Sequence, residues 1–228
     1  MDPVRDDPRR PDPGFAELYG RLPDATDLEP WLSLAQATRA PVLYLGAGAG
    51  RLAVPLAKAG IELVLVDAHP GMVAHLRRRL PSTEIHQSLI EDLELGHRFD
   101  LVMIPSGIGD DAGVREGAVR HLAPEGRLAL ELTNPHWLAA GANPRFRVRN
   151  LGADRARVEV EYPGGTIQDA EIALIWPEEI EDWLAAAGLE LVRMFGHPDA
   201  ELEESPTFYV VAIRPPGLES GSGAPRSR

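Results

Sequence analysis

The chain contains no cysteine, which excludes disulfides and thiolate metal sites. Lysine is almost missing as well: Lys58 is the only one, and arginine supplies the remaining positive charge. No run of about 18 apolar residues occurs, so no membrane-spanning helix and no membrane partner are expected. The start, MDPVRDDPRRPDPG, lacks the apolar stretch of a secretory signal. Together with the absent cysteines this makes a cytoplasmic protein the plain expectation. A net charge of −12 speaks against a nucleic-acid substrate, because phosphate-backbone binders present a basic surface. Arg145, Arg147, Arg149, Arg155 and Arg157 do form a cluster of positive charge. Its mostly alternating spacing is that of solvated strand faces rather than a nucleic-acid groove. No His, Asp and Glu set has metal-ligand spacing, and no metal is expected.

What is present is a glycine-rich turn between two apolar runs. PVLYLGAGAGRLAVPLAKAG, Pro41 to Gly60, is followed by IELVLVDAHP. Val42 to Leu45 reads as a strand, Gly46, Gly48 and Gly50 as a tight turn, the next stretch as a helix, and the second apolar run as a strand ending at Asp67. This is the nucleoside-binding half of a doubly wound α/β fold. Glycine lets backbone turn sharply and approach a ligand closely, and an acid at the second strand end can accept two hydrogen bonds from a ribose diol. The dinucleotide pattern needs Gly or Ala as its sixth residue. Here that place holds Arg51, and the pattern is G-x-G-x-G.

The rest of the chain continues the βα rhythm and then breaks it. Residues 1–13 are rich in Pro, Asp and Arg and are expected to be disordered, as is the tail 215–228. Between them, residues 14–214 read as one domain. Gly14 to Leu22 and Leu28 to Arg39 are expected helices, together forming an N-terminal helical lid over 14–40. Pro70 to Leu80 is a helix with proline at an allowed early position. Glu84 to His86, Phe99 to Ile104 and Arg127 to Leu132 are strands, and Asp111 to Leu122 is a helix. Residues 146–176 alternate like antiparallel strands, with turns at Gly152 to Asp154 and Pro163 to Gly165. A helix over Pro177 to Ala187 follows, with Gly188 as its C-cap, and Glu190 to Phe195 pairs with Phe208 to Arg214 as a closing hairpin.

On these motifs the chain resembles the class I S-adenosylmethionine-dependent methyltransferases. FDLVMIPSGIG, VREGAVRHLAPEGRLALELTNP, PEEIEDWLAAAGLELVRMFG and SPTFYVVAIRP carry the resemblance beyond the glycine turn, over roughly residues 15–214. It is nearest to a subgroup acting on glycine and amino sugars, whose members carry a small antiparallel insertion after strand five. The resemblance implies a Rossmann-like, doubly wound, seven-stranded, mostly parallel sheet with that insertion. It implies S-adenosyl-L-methionine as cofactor, a small-molecule methyl acceptor as partner, and N- or O-methyl transfer by in-line displacement; it is compatible with a homodimer. The alternative is a protein of this fold that catalyses a non-methylating reaction such as a cyclisation, or a non-catalytic binding protein.

The same resemblance assigns residues. Gly46, Ala47 and Gly48 would cradle the methionine part of the cofactor, Asp67 would take the ribose hydroxyls, and Ala68 would lie under the adenine. Backbone groups of Leu89 and Ile90 would meet the adenine edge, and Pro105 would line the methyl path. Ser106, Asn134, Trp137 and Trp176 are expected around the substrate. His136 is the histidine best placed as general base, and Tyr19 lies in the helix expected to fold over the cofactor. Two family acids are replaced: Tyr44 stands two residues before Gly46, and Leu89 stands where an acid would receive the adenine amine.

Overall fold

The computed structural model describes residues 3–109, 111–141, 145–197 and 201–216. The central runs form β1 (Val42–Leu45), β2 (Leu63–Asp67), β3 (Glu84–Gln87) and β4 (Phe99–Ile104). β5 is Leu122–Thr133, β9 is Glu190–Phe195 and β10 is Thr207–Ile213. They build one seven-stranded sheet in the order β3-β2-β1-β4-β5-β10-β9. The first five pair in parallel, and β10 runs antiparallel to both β5 and β9. β1 and the first four residues of β2 are buried throughout, as central parallel strands covered on both faces must be.

Helices α3 (Ala53–Lys58), α4 (Pro70–Arg79), α5 (Ala112–Arg120) and α7 (Ile180–Ala185) cover the sheet. One face packs Leu43, Leu45, Ile104, Leu128, Leu130 and Phe208 under α5 and α7. The other packs Tyr44, Leu65, Met103 and Ala129 under α3 and α2 (Trp31–Gln36). Strand order reverses between β1 and β4, so the ligand crevice of a doubly wound fold lies at their carboxyl ends.

The insertion is a separate antiparallel sheet of β6 (Phe146–Leu151), β7 (Arg155–Glu161) and β8 (Ile167–Ala173). Ala156, Val158 and Leu174 pack inward on Leu138 of α6 (Pro135–Ala139). The outer face is a lattice of ion pairs: Arg147 with Glu161, Arg149 with Glu159, Arg155 with Glu171 and Arg157 with Asp169.

Four expectations change. Residues 3–12 form a strap rather than a disordered end: Val4 N–H donates to the Ile167 carbonyl (2.9 Å), and Asp169 N–H donates to the Val4 carbonyl (3.2 Å). Backbone pairing of this kind does not depend on the polar composition that suggested disorder. α1 (Pro13–Arg21) follows, capped by Asp12, whose carboxylate accepts from Gly14 N–H. α2 belongs to the core rather than to a lid, because Trp31 and Ala35 are buried against the sheet. β5 begins at Leu122, five residues early: Pro124-Glu125-Gly126 bulges within it, Glu125 has φ +61°, and the register to β4 shifts there. The helix expected from Pro177 opens as a 3-10 turn over Pro177–Glu179 before α7. Residues 217–228 of the tail lie outside the described residues.

Candidate active site

The glycine turn is stitched to β2. Gly46 N–H and Ala47 N–H both donate to the Val66 carbonyl, at 2.9 and 3.0 Å. A Cβ at Gly50 would lie 2.9 Å from Leu76 Cδ2, so this glycine serves helix packing. Gly48 differs: φ is +57° and nothing lies within 4 Å of where its Cβ would be, which leaves bare main chain facing open space.

Asp67 ends β2 beside that turn. Its Oδ2 accepts from Gly48 N–H at 2.7 Å and its Oδ1 from His69 N–H at 2.8 Å. Burial raises the pKa of this carboxyl, and the two amides pull it back. A carboxylate has about four lone-pair directions, so both oxygens can still accept a ligand hydroxyl. Ala68 is half-buried next to it.

The loop after β3 brings Leu89 and Ile90 to the crevice's far side. Ser88 N–H donates to the Asp67 carbonyl at 3.2 Å, and Ser88 Oγ donates to the Leu89 carbonyl at 2.8 Å. Ile90 is 7% exposed, and a Cβ at Gly117 of α5 would come 2.3 Å from the Ile90 carbonyl oxygen. Helix and loop backbone are in direct contact there, which leaves Leu89 as the more open of the two.

After β4, Pro105 and Ser106 turn back toward the glycines. Ser106 Oγ is buried with no hydrogen-bond partner among the described residues, and it sits 3.3 Å from the position a Cβ on Gly46 would take. An orphaned buried hydroxyl is costly unless a ligand satisfies it.

α1 packs Phe15 and Ala16 on Ala49 of the glycine turn and Met72 of α4. Tyr19 projects from α1 to the insertion: its hydroxyl lies 3.0 Å from the Tyr162 hydroxyl, which itself donates to Gln168 Oε1 at 2.8 Å. Burial raises the pKa of both phenols. The strap adds further ties: His69 Nε2 lies 2.9 Å from the Asp12 carbonyl oxygen, and Arg9 pairs with Glu91 at 2.7 Å. Arg51 anchors the far end of α1, since its Nε donates to the Pro23 carbonyl at 2.8 Å and its carbonyl accepts from Ala25 N–H at 2.9 Å.

The structure does not bring the remaining substrate candidates into this group. Asn134 is fully buried; its Nδ2 donates to the Leu202 and Ser205 carbonyls and its Oδ1 caps α6 through His136 N–H. It is an anchor between α6 and the approach to β10, not a substrate contact. Trp137 packs edge-on against Phe146 in the insertion core, at 5.3 Å between centroids. Trp176 donates from Nε1 to the Ala153 carbonyl at 2.7 Å. His136 lies 2.8 Å from Glu178 Oε1 and edge-on to Trp176. Among the described residues no group of three His, Asp or Glu side chains is arranged to hold a metal ion, and no helix is long and apolar enough to cross a membrane.

One acid escaped the sequence reading. Glu131 interrupts the apolar run of β5 and faces the same side of the sheet as Tyr44, opposite Tyr209 of β10. A charged residue in the midst of the apolar run Leu128–Leu132 was the available signal.

Strand order, glycine turn and the acid after β2 together make this the fold of the class I S-adenosylmethionine-dependent methyltransferases. Residues 42–126 match the family described as a methyltransferase domain. Over 186 residues, 76% of this chain, the sequence is 29% identical to the ubiquinone biosynthesis O-methyltransferase of Azorhizobium caulinodans. That alignment spans 65% of the relative's own length, just under two thirds. The CcbJ methyltransferase from Streptomyces caelestis superposes with a TM-score of 0.67 at 23% identity, over 88% of this chain and 96% of that one. The glycopeptide N-methyltransferase MtfA, solved with sinefungin, gives 0.62 at 24% identity, over 84% of this chain and 88% of that one.

Proposed function

We propose that this protein is an S-adenosylmethionine-dependent methyltransferase that methylates an amine or hydroxyl of a small metabolite. The observation that carries this reading is the pairing of Gly48 and Asp67 across the β1–β2 crossover, 2.7 Å apart, with open space on the glycine's bare side. The orphaned Ser106 hydroxyl against Gly46 fits a ligand that runs from the acid toward β4. Relatives named as O- and N-methyltransferases point the same way.

Asp67 would hold the ribose diol, Gly46, Ala47 and Gly48 the methionine main chain, Ala68, Leu89 and Ile90 the adenine, and Pro105 with Ser106 the methyl path. The cofactor supplies a sulfonium methyl that is already activated, so the chain's task is to position the acceptor in line and exclude water. α1, the strap and the insertion close over the crevice through Tyr19 and Tyr162 and serve as its lid. A neutral amine needs no base. For a hydroxyl or a protonated amine the proton would pass to the His136 imidazole or to water, while Tyr19, which burial keeps as a phenol, would position the acceptor by a hydrogen bond. Transfer to nitrogen is favoured by the acids around the glycine turn: Asp6 lies within electrostatic reach of Asp67, and Asp67 and Glu131 both act on Tyr44 at the end of β1.

Calorimetry with S-adenosylmethionine and S-adenosylhomocysteine tests the cofactor. Asp67→Ala removes charge-assisted hydrogen bonds to the ribose, each worth about 1.5–3 kcal/mol, and should weaken both ligands at least ~10-fold. Wild-type binding at neither compound, or equal binding by the variant, removes this reading. Mass spectrometry of a panel of amines and phenols incubated with the holoenzyme then separates methyl transfer from another reaction on the same cofactor.

A further inference from the structure

His69 is a buried imidazole, 7% exposed, at the start of α4. It bonds to three separate pieces of chain. Its main-chain N–H donates to Asp67 Oδ1 at 2.8 Å, its Nδ1 accepts from Gly71 N–H at 3.0 Å, and its Nε2 lies 2.9 Å from the Asp12 carbonyl oxygen. These partners fix the tautomer. Gly71 N–H can only donate, so Nδ1 holds the lone pair, and Nε2 carries the proton that it donates to Asp12.

The cap on α4 does not call for a histidine. A short side-chain oxygen from Ser, Asn or Asp fills such a place best. What the imidazole adds is its far nitrogen, which reaches the residue on which the strap and α1 both hang. Asp12 Oδ1 accepts from Gly14 N–H at 2.8 Å, and its Oδ2 accepts from Arg5 N–H at 3.1 Å. The two helices are in close contact here, since a Cβ on Gly71 would lie 2.6 Å from Ala16 Cβ. Asp67, His69 and Asp12 therefore form one hydrogen-bonded line. It runs from the acid beside the glycine turn to the root of α1, the helix that carries Tyr19.

We propose that His69 is a positioning residue that couples a ligand on Asp67 to closure of the strap and α1, through the bond from its Nε2 to the Asp12 carbonyl. The inference rests on the reading of Asp67 as the ribose acid. A ribose diol orders the same carboxylate that receives the His69 N–H, and an ordered His69 fixes Asp12.

The test is amide exchange beside calorimetry on the full chain with S-adenosylhomocysteine, for wild type, His69→Asn and His69→Gln. Asn carries its oxygen at the depth of Nδ1, so it keeps the cap and loses the reach to Asp12. Gln carries its amide at the depth of Nε2, so it keeps that reach and gives up the cap. At about a hundred times its dissociation constant, the ligand should slow exchange in wild type at least ~10-fold, in the glycine turn and in segment 3–21 alike. His69→Asn should bind within about 3-fold of wild type and still protect the glycine turn, but protection of 3–21 should fall below ~2-fold. His69→Gln should restore that protection, although loss of the cap lowers its melting temperature by about 2–4 °C. The proposal is overturned if His69→Asn keeps the protection of 3–21. It is overturned equally if His69→Gln loses it too, which would make the cap and not the tether its source. Loss of protection in the glycine turn along with 3–21 in His69→Asn would mean a general weakening of binding, and also overturns it. If wild type does not bind the nucleoside, the cofactor reading itself fails and the coupling falls with it; if wild type binds it and gains protection in the glycine turn alone, only the coupling falls.

Discussion

Single carboxylates in this molecule work against the fold that holds them. Burial raises the pKa of Glu131 and of Asp67 alike, so folding favours their protonated forms. The sign follows from linkage. A carboxyl whose folded value lies above its unfolded value contributes most stability below the unfolded value, and loses that contribution as pH rises through the folded one. Glu131→Gln removes this dependence while keeping shape. At pH 7 to 8 the variant should melt at the wild-type temperature or higher, by up to roughly 1 kcal/mol, or about 2–4 °C for a domain of this size. Below pH ~4, where the wild-type carboxyl is itself protonated, the gap should close. Scanning calorimetry across this range decides it, and a variant that melts well below wild type at neutral pH contradicts the account. Asp67 cannot be relieved in the same way, because its oxygens hold the amides of Gly48 and His69. That is the arrangement expected of a group kept for binding rather than for stability.

At the scale of elements, the proposed lid is a junction of three parts from distant sequence. α1 meets the insertion through Tyr19, Tyr162 and Gln168, and the strap meets it through Val4. Tyr162→Phe deletes the middle hydroxyl and leaves Tyr19 and Gln168 without their shared partner, at a cost of about 1–3 kcal/mol. The expected result is a drop in kcat/KM for the acceptor with cofactor affinity held within a few-fold, read by steady-state kinetics beside calorimetry. Equal loss in both would place the pair in cofactor binding instead. Deletion of residues 1–12 should act in the same direction more strongly, since it also removes the Asp12 cap of α1. Much of this architecture is legible in the residues. β1 and β2 announce themselves as unbroken apolar runs ended by glycine or aspartate, β4 by the apolar run Leu101–Ile104 before proline, and β6 to β8 by a broadly alternating pattern. The strap was not legible because its contacts are main-chain pairs indifferent to side chain. α2 looked like part of a lid because its apolar spacing cannot say which surface it meets, and Trp31 meets the sheet. Asn134 looked like a substrate contact because a polar residue after β5 gives no sign of which way it points. Inside, it satisfies two carbonyls that would otherwise be stranded. Glu131 is the converse: its identity was visible, but the absence of a cation near it becomes apparent only once the strands are paired.

For the molecule as a whole, the crevice is where separately folded surfaces converge. The parallel half supplies Gly48, Asp67 and Ser106, α1 and the strap cover them, and the insertion is joined to that cover by hydrogen bonds rather than by a shared core. Such a junction should be the first part to open. A ligand that binds only the closed form stabilises by mass action, about 2.7 kcal/mol at a hundred times its dissociation constant. For a domain of this size that is a rise in melting temperature of roughly 5–10 °C. S-Adenosylhomocysteine at that excess should therefore raise the midpoint by this amount. Amide exchange should slow in the 3–21 and 155–173 segments as well as in the glycine turn, because closure couples them. In a chain lacking residues 1–12 the glycine turn should still gain protection, but the insertion should gain little. Uniform protection of the insertion in the shortened chain would mean that the strap takes no part in transmitting closure.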